Sequence, residues 1–508
     1  MRRFGRSKHR PKHRTTTIAL KERNLLTNPC WRGQELGQAL PDSPHAVSVA
    51  LPRWQDVINY EEKEQACMKA LQAVYPRFGL NPLVAAIAKK AIKNSSISNG
   101  SGWPYPNLRT AEQAKLYCQK NNNGNAEIEK VLGLNCLITD AQANSDAKAF
   151  WQHTGLGASS RQAAIALNHE QRASEEEGKL ARRSICDRLS KIYQCQTNLI
   201  QLHPSGMAAL TTALGAIRKI RPDNPFLQLG FPYVDVLKLP QAIFGGSELL
   251  IKATLEELEI KFNSQKPAAI IVELPSNPML QCIDLPSISK LAHKYGIPVI
   301  ADDTIGSALN IDPLPYSDLI FSSLTKSFAG RGDILAGSLV ISPNSIWKKE
   351  FSEIIPQTTF APLATPDAIE LEKTSQDVKE RLPKLDSACL MLKRELEHHP
   401  QIKQVLHPET CSNFNAIKRT NGGYGCLLSF ELVEGLPRAK DFYNTLQVCK
   451  GPSLGTNFTL VCPYVLLAHY DELEWAERCG LPAHLLRVSV GLEDPQSLWQ
   501  RFKKALEE

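Results

Sequence analysis

The chain has 508 residues and a mass of 56.4 kDa, a length that favours two or three domains over one. Hydrophobic residues make up 43% and charged residues 22%, the balance of a globular protein, and no apolar run approaches the roughly 18 residues of a membrane span. Seven of the 59 basic residues lie within positions 1–14, so the remaining 494 residues carry 52 charges of each sign. This neutral body argues against a nucleic-acid groove, and the basic tail is predicted to be a solvated arm.

The thirteen cysteines include no Cys-x-x-Cys pair, which excludes a zinc ribbon and a thioredoxin motif. Several stand in apolar contexts, such as Cys426 and Cys462. The basic tail lacks the apolar stretch of a secretory signal peptide. We therefore expect buried, reduced thiols in a cytoplasmic protein.

The chain changes character along its length. Residues 1–150 are heterogeneous, with a helical stretch near 61–74 after a proline-rich opening. From about Asn198, short apolar runs alternate with helical patterns, which indicates a parallel sheet with helices on both faces. The runs are NLIQL, FLQLGF, AIIVEL, IPVIADD, DLIFSSLT and GSLVIS.

A helix-like region at 365–397 leads into a final segment with its own strand patterns, GCLLSFEL and LLRVSVGL. We therefore predict three parts: an N-terminal extension at 1–150, made of the basic tail followed by helical and irregular structure, a large domain at 151–365, and a smaller α/β domain at 366–508.

Two polar groups that follow apolar runs suit a phosphate. Ser205, Gly206 and Met207 open a helical pattern, and free amides at the positive end of a helix dipole attract anions. Such a turn is more often a plain helix cap. Ser323 and Thr325 would point to the same side of an extended chain, so both hydroxyls could meet one anion.

Three further residues follow apolar runs. Asn277 could give an amide hydrogen bond to a ring oxygen, although Asn-Pro ordinarily marks a turn. Asp302 closes a buried run, where a carboxylate is costly unless a cation or a hydrogen bond meets it. Lys326 ends an apolar strand, where desolvation makes an amine nucleophilic, although a lone lysine there is usually a surface residue.

In combination these groups are what pyridoxal phosphate (PLP) requires. A lysine forms a Schiff base with the cofactor, and a carboxylate keeps the pyridine nitrogen protonated so that the ring acts as an electron sink. Ligands of such sheets bind beyond the carboxyl ends of the strands, where these residues cluster. No cluster has metal-ligand spacing, so no metal is predicted.

The same segments resemble the Cys/Met-metabolism family of PLP-dependent enzymes. The resemblance runs from about Trp151 to the C-terminus, with the motifs in family order. It implies the aspartate-aminotransferase-like fold (fold type I), an α/β fold with a large, mostly parallel-sheet domain and a smaller C-terminal α/β domain. The motifs are Ser-Gly-Met-Ala at 205–208, Pro-Ser-Asn-Pro at 275–278, Asp-x-Thr at 302–304, Ser-x-Thr-Lys at 323–326, Ser-Leu-Gly at 453–455 and Arg-x-Ser-x-Gly-x-Glu at 487–493.

The resemblance implies a role for each matched residue. Lys326 is expected to be the Schiff-base lysine and the acid/base that moves protons between substrate carbons. Asp302 would pair with the pyridine nitrogen, and Asn277 would contact the ring hydroxyl. Arg487, helped by Ser453, would hold the substrate carboxylate, for which a guanidinium is well shaped. The cofactor phosphate would be held by Gly206, Met207, Ser323 and Thr325.

Two positions depart from the family pattern. The tyrosine that usually stacks on the cofactor lies in Tyr-Gly-Gly-Thr, and the best candidate here is Tyr233, which lacks those glycines. Members also reach into the neighbouring subunit's phosphate site with Tyr-x-Arg. Residues 153–155 and 159–161 occupy that place, so Arg161 is expected to be the phosphate arginine and the tyrosine to be absent. A site completed in this way requires at least a homodimer, and the family implies a homotetramer.

Three segments, at 44–52, 153–161 and 451–460, resemble the fungal-type cystathionine gamma-synthases, which carry a long N-terminal extension. That branch implies γ-replacement of an O-acylated homoserine with cysteine to give cystathionine. The sequence leaves open a homoserine sulfhydrylase and a cystathionine or methionine lyase. It also leaves open a catalytically silent regulatory protein that binds the cofactor, and a polyanion-binding module driven by the basic tail.

Overall fold

The N-terminal third is more regular than the sequence predicts. A computed structural model describes residues 23–97 and 99–508, so the basic tail lies outside the described residues. Three strands in this third form a small antiparallel sheet at 101–139, where only helical and irregular structure was expected. The elements are β1 (Ala39–Leu40), β2 (Ser48–Val49), α1 (Trp54–Glu61), α2 (Gln65–Ala70), α3 (Pro82–Asn94), β3 (Ser101–Tyr105), α4 (Leu108–Asn121), β4 (Ala126–Val131), β5 (Leu134–Thr139), α5 (Asn144–Thr154) and α6 (Ser160–Ala166).

Strands and helices then alternate, as the apolar runs predict. All six runs form strands, and one more strand, β8, lies at the sheet edge. The elements are α7 (Glu175–Tyr193), β6 (Ile200–His203), α8 (Gly206–Ile220), β7 (Phe226–Leu229), α9 (Val234–Ile243), β8 (Ser247–Leu250), α10 (Leu255–Ser264), β9 (Ile270–Glu273), α11 (Leu285–Lys294), β10 (Val299–Asp302), β11 (Leu319–Ser323), β12 (Gly337–Ile341), α12 (Lys348–Thr358) and α13 (Thr365–Thr374).

These strands form one seven-stranded sheet in the order β6-β12-β11-β10-β9-β7-β8. The neighbours from β11 to β8 run parallel, whereas β12 is antiparallel to both β11 and β6. Two apolar clusters, one on each face, bury the sheet against its helices. The predicted large, mostly parallel-sheet domain is thus confirmed.

The C-terminal part has its own five-stranded sheet, in the order β13-β14-β17-β16-β15. The predicted helical region at 365–397 is two helices, because α13 ends at Thr374 and α14 begins at Val378. The elements are α14 (Val378–Glu397), β13 (Ile402–Leu406), α15 (Ser412–Ile417), β14 (Leu427–Leu432), α16 (Leu436–Thr445), β15 (Cys449–Lys450), β16 (Leu460–Pro463), α17 (Tyr464–Ala468), α18 (Leu473–Arg478), β17 (Leu486–Ser489) and α19 (Pro495–Glu507).

The N-terminal third contributes to two different cores. Residues 39–73 share one buried cluster with the C-terminal sheet, in which the Trp54 ring lies edge-on to Tyr443. Residues 84–163 build further clusters around β3, β5 and α5. The fully buried Lys450 ammonium connects the C-terminal sheet to the N-terminal third, because it donates a hydrogen bond to the Pro52 carbonyl at 2.9 Å. The boundaries at 150 and 365 stay predictions.

All thirteen cysteines lie in the described residues and are free thiols, ten of them buried. In the same residues, no helix combines the length and the apolar character needed to cross a membrane.

Candidate active site

A cavity lies beyond the carboxyl ends of the parallel strands, bounded on its other side by the C-terminal sheet and by residues 74–81. Ten of the eleven residues predicted for the site line this cavity, although they are spread over more than 280 positions. They are Gly206, Met207, Tyr233, Asn277, Asp302, Ser323, Thr325, Lys326, Ser453 and Arg487.

One end of the cavity is the N-terminus of α8. Ser205 caps this helix, since its hydroxyl accepts a hydrogen bond from the Ala208 amide at 3.1 Å. Gly206 is needed for close packing, because a Cβ there would lie 2.9 Å from the Cβ of Ser323. The first-turn amides therefore open toward the cavity beside the Ser323 hydroxyl, an arrangement that suits an anion.

Ser323 and Thr325 both line the cavity, but they do not lie on one extended strand as the sequence analysis considered. Strand β11 ends at Ser323 and a turn follows. The Thr325 hydroxyl accepts from the Ala336 amide at 3.1 Å and lies 3.3 Å from the Ala336 carbonyl. It therefore fixes the turn, and its phosphate role stays a prediction.

The two neighbouring acids at the end of β10 point to opposite sides of the sheet. Asp302 faces the cavity and accepts the Thr304 amide at 2.9 Å. Asp303 accepts the Tyr193 hydroxyl at 2.7 Å, away from the cavity. Burial raises the pKa of Asp302 to about 7, against the Thr304 hydrogen bonds that lower it. Within the part of the chain that the structure describes, no cation forms an ion pair with this carboxylate to stabilise its charge.

The Lys326 ammonium reaches across the cavity to two hydroxyls. It donates to Ser453 Oγ at 3.1 Å and to Tyr75 Oη at 3.2 Å. Ser453 is held at φ 87°, in the left-handed region that favours glycine. Strain of this kind clusters at functional sites, and here it places both polar groups of Ser453 in the site.

Arg487, on the C-terminal strand β17, is buried in the cavity wall. Its guanidinium donates to Asn277 Oδ1 at 3.2 Å and to the Ser453 carbonyl at 2.6 Å. Its Nε is buried without a hydrogen-bond partner, and no carboxylate of the described residues lies within ion-pair distance. An incoming carboxylate would satisfy both the charge and the free donor.

A chain of hydrogen bonds runs from Lys326 to a buried acid. Tyr233 donates its hydroxyl to Asp235 at 3.0 Å, and His153 Nδ1 lies 3.1 Å from the other carboxylate oxygen. The Tyr75 and Tyr233 hydroxyls are 3.5 Å apart. Because Tyr233 gives its proton to Asp235, its oxygen accepts from Tyr75, whose own oxygen accepts from Lys326.

Tyr75 and Arg77, which the sequence analysis did not single out, enter this cavity. Burial would raise the pKa of the Tyr75 phenol, but the nearby positive charges of Lys326 and Arg487 outweigh it and lower the pKa below its ordinary value. Arg77 Nε lies 3.9 Å from Asp235. The signal was present as a Tyr-x-Arg triplet, Tyr75-Pro76-Arg77, in the region that was assigned no task.

Arg161 is the predicted residue that does not line the cavity. Its buried guanidinium donates a hydrogen bond to the Asp333 carbonyl at 2.7 Å, and its Nη1 lies 3.5 Å from Oδ1 of Asp367. These partners belong to its own chain. Its role at a neighbour's phosphate stays a prediction.

The groups that line the cavity fit PLP in their charge and chemistry. The α8 amides beside Ser323 suit a phosphate, and the Lys326 amine suits a carbonyl carbon with which it can form a bond. The Asp302 carboxylate, which has no cation partner among the described residues, suits a protonated pyridine nitrogen. Asn277 and Tyr233 line the same cavity.

Comparison with known proteins decides the family. The sequence profile of the Cys/Met metabolism PLP-dependent enzymes matches residues 138–507. The chain belongs to this family. It is therefore a PLP-dependent enzyme, as the sequence motifs predicted.

Individual relatives include cystathionine gamma-synthases and enzymes with other names. Cystathionine gamma-synthase of Neurospora crassa is 28% identical over 93% of this chain and 98% of its own length. The L-2-amino-4-chloropent-4-enoate dechlorinase/desaturase of Streptantibioticus cattleyicolor is 29% identical over 92% of this chain and 97% of its own. The structure of cystathionine gamma synthase from Xanthomonas oryzae pv. oryzae in complex with cystathionine has a TM-score of 0.58 at 22% identity, over 66% of this chain and 88% of that one. This last likeness confirms the fold.

Proposed function

We propose that the protein catalyses γ-replacement: cysteine displaces the acyloxy group of an O-acylated homoserine, giving cystathionine and a carboxylic acid. The observation that carries the proposal is that the Lys326 amine and the Arg487 guanidinium line the same cavity. The guanidinium has no acidic partner among the described residues. An amine that moves protons and a cation that grips a carboxylate are what an α-amino acid substrate requires. The extent of the likeness to the Neurospora crassa enzyme supports the same choice.

Each residue has a task in this reaction. Arg487 and Ser453 hold the α-carboxylate, which points the Cα–H bond toward Lys326. Bound PLP supplies an electron sink for the charge that develops at Cα. Lys326 takes that proton and returns protons to neighbouring carbons. The bond from Cγ to the acyloxy oxygen breaks with its electron pair on oxygen, and the cysteine sulfur bonds to Cγ as the thiol proton is released.

The other proposed roles concern the cofactor and the assembly. Asp302 keeps the pyridine nitrogen protonated, Asn277 contacts the ring hydroxyl, and Tyr233 packs against the ring. The phosphate lies at Gly206, Met207, Ser323 and Thr325. We further propose a cytoplasmic homodimer or homotetramer in which Arg161 serves the neighbour's phosphate.

A product assay tests the proposal. Protein loaded with PLP is incubated with L-cysteine and, separately, O-acetyl-, O-succinyl- and O-phosphohomoserine, and the products are identified by mass spectrometry. Cystathionine in any mixture supports γ-replacement and names the donor. A ketoacid from cystathionine or methionine alone, without synthesis, would make the protein a lyase. If no mixture yields a product although the cofactor is bound, the result would favour a catalytically silent regulatory protein.

The same assay with sulfide in place of cysteine examines the sulfhydrylase alternative. Homocysteine formed faster than cystathionine would replace the proposal, because the two reactions differ only in the thiol that attacks Cγ.

A further inference from the structure

The hydroxyl of one tyrosine in the cavity wall has no hydrogen-bond partner among the described residues. Tyr464 begins α17, directly after strand β16, and 4% of its surface is exposed. Its hydroxyl is buried, and no group of the described chain bonds to it. Buried hydroxyls in folded proteins are almost always paired, so an unpaired one in a cavity wall points to a missing ligand.

Tyr464 is next to the other unpaired donor of this cavity. The guanidinium carbon of Arg487 lies 4.8 Å from the centroid of the Tyr464 ring. The register of β16 against β17 fixes this contact, because Cys462 lies opposite Arg487 and Tyr464 follows two residues later. The Tyr464 hydroxyl and Arg487 Nε are both buried and unbonded within the described chain.

The Tyr464 hydroxyl is a donor at neutral pH. Burial raises its pKa, and Glu273 and Tyr75 raise it further, while Arg487 and Arg77 act in the opposite direction. A neutral phenol has one proton to give, and a carboxylate offers about four lone-pair positions that accept.

We propose that Tyr464 is a substrate-binding residue whose hydroxyl, together with Arg487, holds the carboxylate of the amino-acid substrate. The inference deepens the proposed function and rests on its assignment of Arg487 to that carboxylate. The α8 amides and Ser323, the groups assigned to the cofactor phosphate, lie at the ends of strands of the large sheet, whereas Arg487 lies on a strand of the C-terminal sheet and Tyr464 directly follows one. The anion at Tyr464 is therefore the substrate's.

Two probes that differ in one carboxylate test the inference on the holoenzyme. Aminooxyacetate and methoxyamine both react with the bound cofactor and change its visible absorbance, but only aminooxyacetate carries a carboxylate. In Tyr464→Phe, we expect the second-order rate constant for aminooxyacetate to fall about tenfold and that for methoxyamine to stay unchanged. Arg487→Ala should lower the rate constant for aminooxyacetate, relative to that for methoxyamine, by more than Tyr464→Phe does.

The matched control is Tyr105→Phe. Tyr105 also has a buried, unbonded hydroxyl among the described residues, but it lies in a cluster around β3, away from the cavity. This variant should treat both probes as the wild type does. Apo Tyr464→Phe should unfold at the wild-type temperature or above, because the change removes an unpaired polar group.

Equal losses for both probes, or no loss for either, would overturn the carboxylate assignment. The measurement involves no γ-substituent and no thiol. It therefore succeeds or fails independently of cystathionine synthesis.

Discussion

At the scale of single residues, Lys326 is distinguished from the other lysines by its surroundings. Its ammonium faces two hydroxyls in a cavity, whereas Lys261 forms an exposed ion pair with Glu248. We expect Lys326→Ala to abolish turnover and the visible absorbance of the bound cofactor, because no other lysine of the described residues lines the cavity. Absorbance spectra and product formation measure both effects, with Lys261→Ala as the control.

Asp302 gives a prediction in which stability and function change in opposite directions. Its pKa of about 7 in the folded protein exceeds the ordinary 3.8, so the folded apoprotein holds a proton that the unfolded chain releases. The free energy of unfolding therefore falls as pH rises from about 4 to 7. Asn cannot ionise, so between about pH 5 and pH 8 apo Asp302→Asn should gain roughly 2–3 kcal/mol relative to the wild type.

Denaturant unfolding of the two apoproteins at both pH values measures this gain, and cofactor titration should show weaker binding by Asp302→Asn. An equal pH dependence in both proteins would contradict the assignment. Asp303→Asn is the comparison for cofactor binding, because Asp303 faces Tyr193 and not the cavity.

At the scale of elements, α1 belongs to the core of the C-terminal sheet. Trp54 is 3% exposed, its ring centroid lies 6.0 Å from that of Tyr443, and its amide donates to Asn444 at 2.8 Å. We expect Trp54→Ala to lower the free energy of unfolding by about 3–5 kcal/mol, since a buried indole is removed. Leu180→Ala, at a position 59% exposed, should cost far less. Denaturant unfolding measures both, and similar small losses would mean that the extension packs loosely.

The strands were predictable because each is a short apolar run followed by a polar turn, and those turns carry the family motifs. The site as a whole was predictable for the same reason, since the carboxyl ends of parallel strands converge. Tyr75 was not found because it meets Lys326 across 251 positions of the chain. The small sheet at β3–β5 was missed because its polar strand β4, with two glutamates and a lysine, lacks an apolar run.

Tyr464 was beyond sequence reasoning for a different reason. Its apolar neighbours predict a core residue, and a buried core is where it packs. That its hydroxyl has no partner, and that Arg487 lies over its ring, follows only from the folded arrangement of β16 and β17.

At the scale of the whole molecule, the site draws on the N-terminal third, the large sheet and the C-terminal sheet of one chain. Tyr75 and Arg77 line the cavity that contains Lys326 of the same chain. A single chain therefore supplies every group described above except the proposed phosphate arginine, Arg161 of a neighbour.

Mixed assemblies separate contributions within a chain from contributions between chains. Two variants, each expected to lose activity because it lacks one group of the site, are unfolded, mixed in equal amounts and refolded together, which gives random hybrids of the proposed homo-oligomer. Lys326→Ala mixed with Tyr75→Ala should recover no activity, because the intact Tyr75 and the intact Lys326 lie in different chains. Lys326→Ala mixed with Arg161→Met should recover up to about a quarter of wild-type activity, because a hybrid dimer then holds one complete site. Recovery of activity in the Tyr75 mixture would show that Tyr75 serves the site of a neighbouring chain. No recovery in the Arg161 mixture would mean that Arg161 only binds Asp333 and Asp367 of its own chain.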